Sequence, residues 1–216
     1  MIFVWQIRYF VVPLQRFMNN RYEKEDLQEA LRVLRAGGMI VYPTDTVWGI
    51  GCDATNEAAV RRIYALKQRE DSKSMLVLLD SAAKLDYYVD VPETAEMLLG
   101  VESQKSKEES AKPMTIIYPN ARHLATNIIA EDGSIGIRIT DEPFSKALCA
   151  QLKRPLVSTS ANLSGHPTAR FFHEIEAAIL EGADYVCRYR RDDETPYEPS
   201  SIIKVNEDGT FRIIRE

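Results

Sequence analysis

The sequence predicts an α/β fold: a single domain built on a twisted sheet of mixed strand direction, with flanking helices. Three observations carry this expectation. Segments with apolar residues at helical spacing alternate with short apolar runs of strand length. With 45% hydrophobic residues in 216, the chain can bury a full core without metals or disulfides. No internal repeat or interdomain linker divides it.

Taken in order, Met1 to Phe17 is apolar but interrupted by Arg8 and Arg16, and it lacks the basic start and small-residue cleavage site of a signal peptide. It is too short to span a bilayer. Met18, followed by Asn19-Asn20-Arg21, reads as an alternative translation start, which makes residues 1–19 an N-terminal extension to a domain over 20–216. Leu27, Ala30, Leu31 and Leu34 recur at i, i+3, i+4 and i+7 before Gly37-Gly38, so a helix is expected over about 24 to 36. Met39 to Tyr42 is then a buried strand ended by Pro43. Val60, Ile63 and Tyr64 repeat the helical spacing, and Lys67 takes the next position on that face, where its stem can snorkel toward a cleft.

Further strands are expected at Met75–Leu79, Met114–Tyr118, Ile135–Ile139, Leu156–Ser158, Tyr185–Cys187, Ile202–Val205 and Phe211–Ile214, with helices near 143–152 and 172–181. Glu102 to Lys112 is polar and free of large apolar side chains, the composition of an exposed loop, a solvated linker or a lid.

The balance of 27 Lys and Arg against 32 Asp and Glu gives a formal charge of -5, so nucleic-acid binding would need a local basic groove. Cys52, Cys149 and Cys187 are far apart and show no CxxC pattern, which makes them buried thiols. His123, His166 and His173 have no HExxH spacing, so no protein-bound structural metal is expected. Asn162-Leu163-Ser164 fits a glycosylation sequon by chance.

The chemistry-bearing residues lie at element edges. Lys67 and Arg69 are cations at a helix end with Lys73 close behind, suited either to clamping a polyphosphate or merely to complementing the helix dipole. Thr44, Asp45 and Thr46 emerge at a strand end, where α/β proteins place ligands, although an ordinary capped turn fits as well. Trp48 is either a pocket wall or a core residue, and Gly49-Ile50-Gly51 lacks the third glycine of a dinucleotide fingerprint. Ser158 to Asn162 gives a polar strand-to-loop turn; without a GxSxG elbow or triad partners, Ser160 binds and does not attack. Thr115, and Arg138 on a strand that demands solvent or an anionic partner, complete the set.

Together, PTDTVWGIG (Pro43 to Gly51), Lys67-Gln68-Arg69 and Ser160-Ala161-Asn162 resemble the YrdC/Sua5 family of threonylcarbamoyl-AMP synthases, over about Gly37 to Val205. The resemblance implies a YrdC-like twisted sheet around a large concave cavity. It also implies a cytoplasmic nucleotidyltransferase that joins L-threonine, bicarbonate and ATP, with Mg2+, into threonylcarbamoyl-adenylate and pyrophosphate. A tRNA threonylcarbamoyltransferase complex then receives the intermediate for adenosine 37 of tRNA.

Carried over by position, Lys67 and Arg69 hold ATP phosphates and are the critical residues, with Lys73, Thr115, Ser160, Asn162 and Ser200 lining the nucleotide site. Thr46, Ser158 and Arg138 face threonine. The chain departs from the family pattern at Trp48, at Lys73-Ser74-Met75 and at Ser110 to Met114. Two other readings are an RNA-binding module using the same cavity, which predicts salt-sensitive tRNA binding without ATP or threonine, and a divergent paralogue with another acyl-adenylation or regulatory role.

Overall fold

A computed structural model describes residues 22–68, 75–105, 112–195 and 197–216. The N-terminal extension, Arg69 and Lys73 lie outside the described residues.

The first helix, α1 (Lys24–Arg35), turns Leu27, Ala30, Leu31 and Leu34 inward and ends at Gly37, whose φ of +80° reverses the chain at low steric cost. β1 (Ile40–Tyr42) follows, and residues 43–48 form the turn into β2 (Gly49–Gly51), its antiparallel partner. α2 (Glu57–Lys67) starts on the Asn56 side chain, which accepts from Ala59 N at 3.1 Å, and stops at Gln68 in the left-handed region. β3 (Leu76–Leu79) leads to two helices that the sequence reading did not anticipate, α3 (Leu85–Tyr88) and α4 (Glu93–Lys105). Thus 102–105, expected as loop, continue a helix anchored by buried Ala95 and partly buried Leu98 and Leu99; 106–111 lie outside the described residues.

β4 (Met114–Tyr118) and β5 (Ile135–Ile139) fall where the apolar runs put them. α5 (Pro143–Leu152) begins with proline in its first turn and the Glu142 carboxylate accepting from Ser145 N at 2.7 Å. β6 (Leu156–Ser160) runs two residues beyond the expected end because Thr159 and Ser160 pair with Ile50 and Gly49. The helix expected over 172–181 is split into a 3-10 turn, Phe172–Glu174, and α6 (Ala177–Gly182). The Glu174 carboxylate turns back to accept from Arg170 N and Phe171 N, and Ile175 is extended. β7 (Tyr185–Val186), β8 (Ser201–Val205) and β9 (Phe211–Arg215) complete the chain.

Among the described residues nine strands form one mixed sheet in the order β7-β1-β2-β6-β3-β5-β4-β8-β9. Its period-two alternation separates two cores. Val41, Val77, Leu79, Ile137 and Val157 pack on one face with Val60, Ile63 and Tyr64 of α2. Ile40, Tyr42, Leu78 and Leu156 pack on the other, under Leu27, Leu31 and Leu34 of α1 and Phe144 and Leu148 of α5. Each fully buried leucine here contributes about 1.5–3 kcal/mol relative to exposure. Gly51 is demanded by close approach, since a Cβ there would stand 2.0 Å from the Val157 carbonyl oxygen. All three cysteines are buried free thiols, as the sequence indicates.

A cavity on the uncovered half of the sheet

Strand register gathers the polar residues. Leu76 pairs with Ser158, Gly49 with Ser160, Leu78 with Arg138, Ile117 with Gly136, Thr115 with Ile202 and Ile202 with Arg215. Because alternate residues face the same way, Gly49, Ser160, Ser158, Leu76, Arg138, Thr115, Ile202 and Arg215 share one side of the sheet. It is the side on which α1 and α5 cover Leu78 and Leu156. Those helices occupy only part of that face, and the rest forms the wall of a cavity of about 290 Å³ bordered by the turn after β1. A neighbouring hollow of about 590 Å³ shares Met75, Leu76 and Ile202 with it and extends past Thr115 to Lys204 and Arg212.

At one end, Thr44 and Thr46 present their hydroxyls 3.1 Å apart. The turn is cross-braced: Thr44 Oγ1 donates to the Val47 carbonyl at 2.6 Å and accepts from Thr46 N at 3.0 Å. Trp48 is buried, 5.0 Å from Phe172 between ring centroids, so it serves the core at the back of this turn. Arg138, only 3% exposed, borders the cavity and reaches Asp45 Oδ1 at 3.0 Å. Among the described residues neither Arg138 Nε nor Asp45 Oδ1 has a hydrogen-bond partner. Burial pushes the Asp45 carboxyl above its ordinary value, with the Arg138 charge opposing the rise.

At the other end stand Ser200 and Arg215. Ser200 Oγ is 2.9 Å from Thr115 Oγ1, while Arg215 Nε donates to the Ser200 carbonyl at 2.9 Å. Burial and the Arg138 charge hold the Arg215 guanidinium below its ordinary value, so two cations share a space that an anion would relieve.

Of the residues singled out from sequence, Thr46, Arg138, Ser158, Ser160 and Ser200 border this cavity and Thr115 the adjoining hollow. Lys67 and Asn162 lie behind the wall. The Lys67 side chain is buried, its amine donating to the Asn162 carbonyl at 2.5 Å and to the Ser160 carbonyl; Ser164 N in turn donates to the Lys67 carbonyl at 2.8 Å. Asn162 Nδ2 donates to the Leu163 and His166 carbonyls, leaving its buried Oδ1 without a partner among the described residues. Lys67 therefore ties the end of α2 to the turn after β6. Thr44, read from the sequence as a hydroxyl at a ligand-binding strand end, also lines the cavity, whereas sequence reading missed Arg215 and Thr168. Arg215 reaches the cavity through its register with Ile202, which the sequence does not display. Among the described residues no three His, Cys, Asp or Glu side chains gather into a metal site.

A family model described as Telomere recombination, covering Sua5, YciO and YrdC proteins, matches residues 32–216. The chain belongs to this family. The match extends the resemblance through Arg215 and the whole cavity wall described above. A family relative from Stutzerimonas stutzeri, called threonylcarbamoyl-AMP synthase, is 39% identical over 162 residues, covering 74% of this chain and 83% of that protein. The Escherichia coli K12 protein of the same name is 35% identical over 160 residues, 74% of this chain and 82% of its own.

Solved structures establish the shared fold. E. coli YciO superposes with a TM-score of 0.75 at 24% identity, over 92% of each chain. P. abyssi Sua5 complexed with L-threonine superposes with a TM-score of 0.73 at 23% identity, over 90% of this chain but 55% of that longer one. The expected twisted mixed sheet, its flanking helices and its concave cavity are thus all present. No helix among the described residues is long and apolar enough to cross a membrane.

Proposed function

We propose that the protein is a threonylcarbamoyl-AMP synthase, a nucleotidyltransferase that makes threonylcarbamoyl-adenylate and pyrophosphate from L-threonine, bicarbonate and ATP for threonylcarbamoylation of adenosine 37 in tRNA. The observation that carries this reading is the convergence of five separate parts of the chain on one cavity. Thr44 and Thr46, Arg138, Ser158 and Ser160, Ser200, and Arg215 all border it. The names of relatives at 35–39% identity, and the threonine complex reported for Sua5, agree with it.

In this reading the carboxylate of threonine lies against Arg138, whose Nε lacks an acceptor among the described residues, and its hydroxyl and amine lie near Thr44, Thr46 and Ser158. The threonine amine takes up the carbon of bicarbonate with loss of water. The resulting carbamate oxygen displaces pyrophosphate from the α-phosphorus of ATP. No enzyme nucleophile is required, so catalysis reduces to orienting reactants and neutralising phosphate charge. Arg215 and Ser200, which border the cavity together, are proposed to face the nucleotide, and Lys67 fixes the Ser160–Asn162 turn that would border it. Arg69 and Lys73 are proposed as phosphate contacts on the family pattern. Mg2+ enters on the phosphates of ATP as part of that substrate.

The product passes to a tRNA threonylcarbamoyltransferase complex, with weak tRNA contact at the cavity mouth, in the cytoplasm where ATP and tRNA meet. The deciding assay follows pyrophosphate release from ATP, Mg2+ and bicarbonate with each of several amino acids. Release that requires threonine is expected. Release that is indifferent to the amino acid, or salt-sensitive tRNA binding with no pyrophosphate formed, would overturn the assignment.

A further inference from the structure

Against the Thr44–Val47 turn, across a small hollow, lies a strap that includes residues 190–195 and 197. Arg190 is its origin, with φ +63° and a side chain only 13% exposed. Its guanidinium makes several contacts at once. Nη1 donates to the Thr44 carbonyl at 3.0 Å, Nε donates to Asp193 Oδ2 at 2.8 Å, and the plane lies 4.5 Å from the centre of the Tyr197 ring. Nη1 is also 3.8 Å from Glu142 Oε1. Asp193 is itself held, accepting from Thr195 N at 2.9 Å and from the Tyr197 hydroxyl at 3.3 Å. The hollow left between strap and turn is about 10 Å³, room for one water, so the two segments lie closely packed.

We infer that Arg190 is a positioning residue: it holds the Thr44 carbonyl and so fixes the turn that presents the Thr44 and Thr46 hydroxyls to the amino-acid end of the cavity. Among the described residues, its one hydrogen bond to a residue lining the amino-acid end is to that carbonyl. The turn's own bracing uses Thr44 Oγ1, which accepts from Thr46 N and donates to the Val47 carbonyl. Rotation of the Thr44 peptide would therefore move both hydroxyls together, and a contact on the Thr44 carbonyl restrains that rotation directly. Arginine is needed because its planar fork can serve Thr44, Asp193 and the Tyr197 face together; lysine supplies a point charge near Glu142 but no fork.

The clamp itself is independent of the ligand, whereas its effect on threonine rests on the synthase reading, and the two are tested separately. In the ligand-free protein, backbone amide exchange is measured in Arg190→Ala and Arg190→Lys. Exchange across residues 44–48 is expected to accelerate at least tenfold in Arg190→Ala, with residues 135–139 of β5 unchanged. Unchanged exchange at 44–48, or equal acceleration throughout the sheet, overturns the inference whatever reaction the protein catalyses. Pyrophosphate release is then followed against threonine and against ATP. The threonine KM is expected to rise at least tenfold in Arg190→Ala and by a smaller factor in Arg190→Lys, with the ATP KM within twofold of the parent. Equal rises for both substrates overturn the assignment to the amino-acid end. Threonine-independent release by the unsubstituted protein would defeat the synthase reading alone, and the exchange data would still decide the clamp.

Discussion

Replacing Lys67 with methionine isolates what its buried amine does, because the unbranched stem is kept and the charge is lost. In the structure that amine donates to the Ser160 and Asn162 carbonyls from a residue 2% exposed. The Ser160 carbonyl would keep another donor, Asn162 N at 2.9 Å. The Asn162 carbonyl would lose its amine partner inside the protein. An ordinary hydrogen bond nets about 1 kcal/mol and an orphaned buried acceptor costs about 1–3 kcal/mol, so the loss is about 2–4 kcal/mol. Relief from burying an ammonium ion offsets part of a larger gross interaction, which is why the two charge-assisted bonds are not added at full value.

Urea unfolding of Lys67→Met should move the midpoint down with little change in slope, by an amount matching that figure. Turnover should fall as well, because the Ser160–Asn162 turn loses its anchor. A variant within 0.5 kcal/mol of the parent, yet inactive, would refute this reasoning and make Lys67 a ligand contact with no structural duty.

Other expectations follow from single distances and shifts. Arg215→Gln should weaken ATP about 10–100-fold, the value of one charge-assisted hydrogen bond, while leaving threonine binding within a fewfold; isothermal titration with each ligand checks this. Gly51→Ala forces a Cβ to 2.0 Å from the Val157 carbonyl oxygen and should cost about 3 kcal/mol or more, read as a loss of midpoint in urea. Asp132, bonded to Lys204 and to Ser134, has its carboxyl lowered to about 2. A carboxyl lowered by folding stabilises the native state above the ordinary value of 3.8 and loses that contribution as pH falls through about 2. NMR titration should find it still mainly ionised at pH 3, and Lys204→Met should move its midpoint upward.

Much of the fold was legible because apolar spacing is a local signal. Leu27, Leu31 and Leu34 mark α1 whatever lies around them, and the runs at Met114–Tyr118 and Ile135–Ile139 coincide with β4 and β5. β2 was hidden because Gly49-Ile50-Gly51 carries two glycines, poor strand formers, and exists as a strand only through pairing with β1 and β6. α4 was obscured where its polar end ran into the charged stretch that follows. At the site, Thr46, Ser158 and Ser160 were visible as polar residues at element edges and Arg138 as a charge on a strand, whereas Ser200 came from the family resemblance. Arg215 was not visible, because its meaning depends on which face of β9 meets the cavity, and that is fixed by where its hairpin partner β8 pairs with β4 in the sheet. The burial of Lys67 was likewise invisible, since its two carbonyl partners lie 93 and 95 residues away.

The Thr44–Val47 turn both closes the β1–β2 hairpin and presents hydroxyls to the cavity, using the same oxygen for each duty. An engineer seeking to change the amino acid accepted here would be ill advised to substitute the threonines themselves, because any gain in fit would be confounded with a loosened hairpin. Altering the scaffold that tilts this turn offers the separable control.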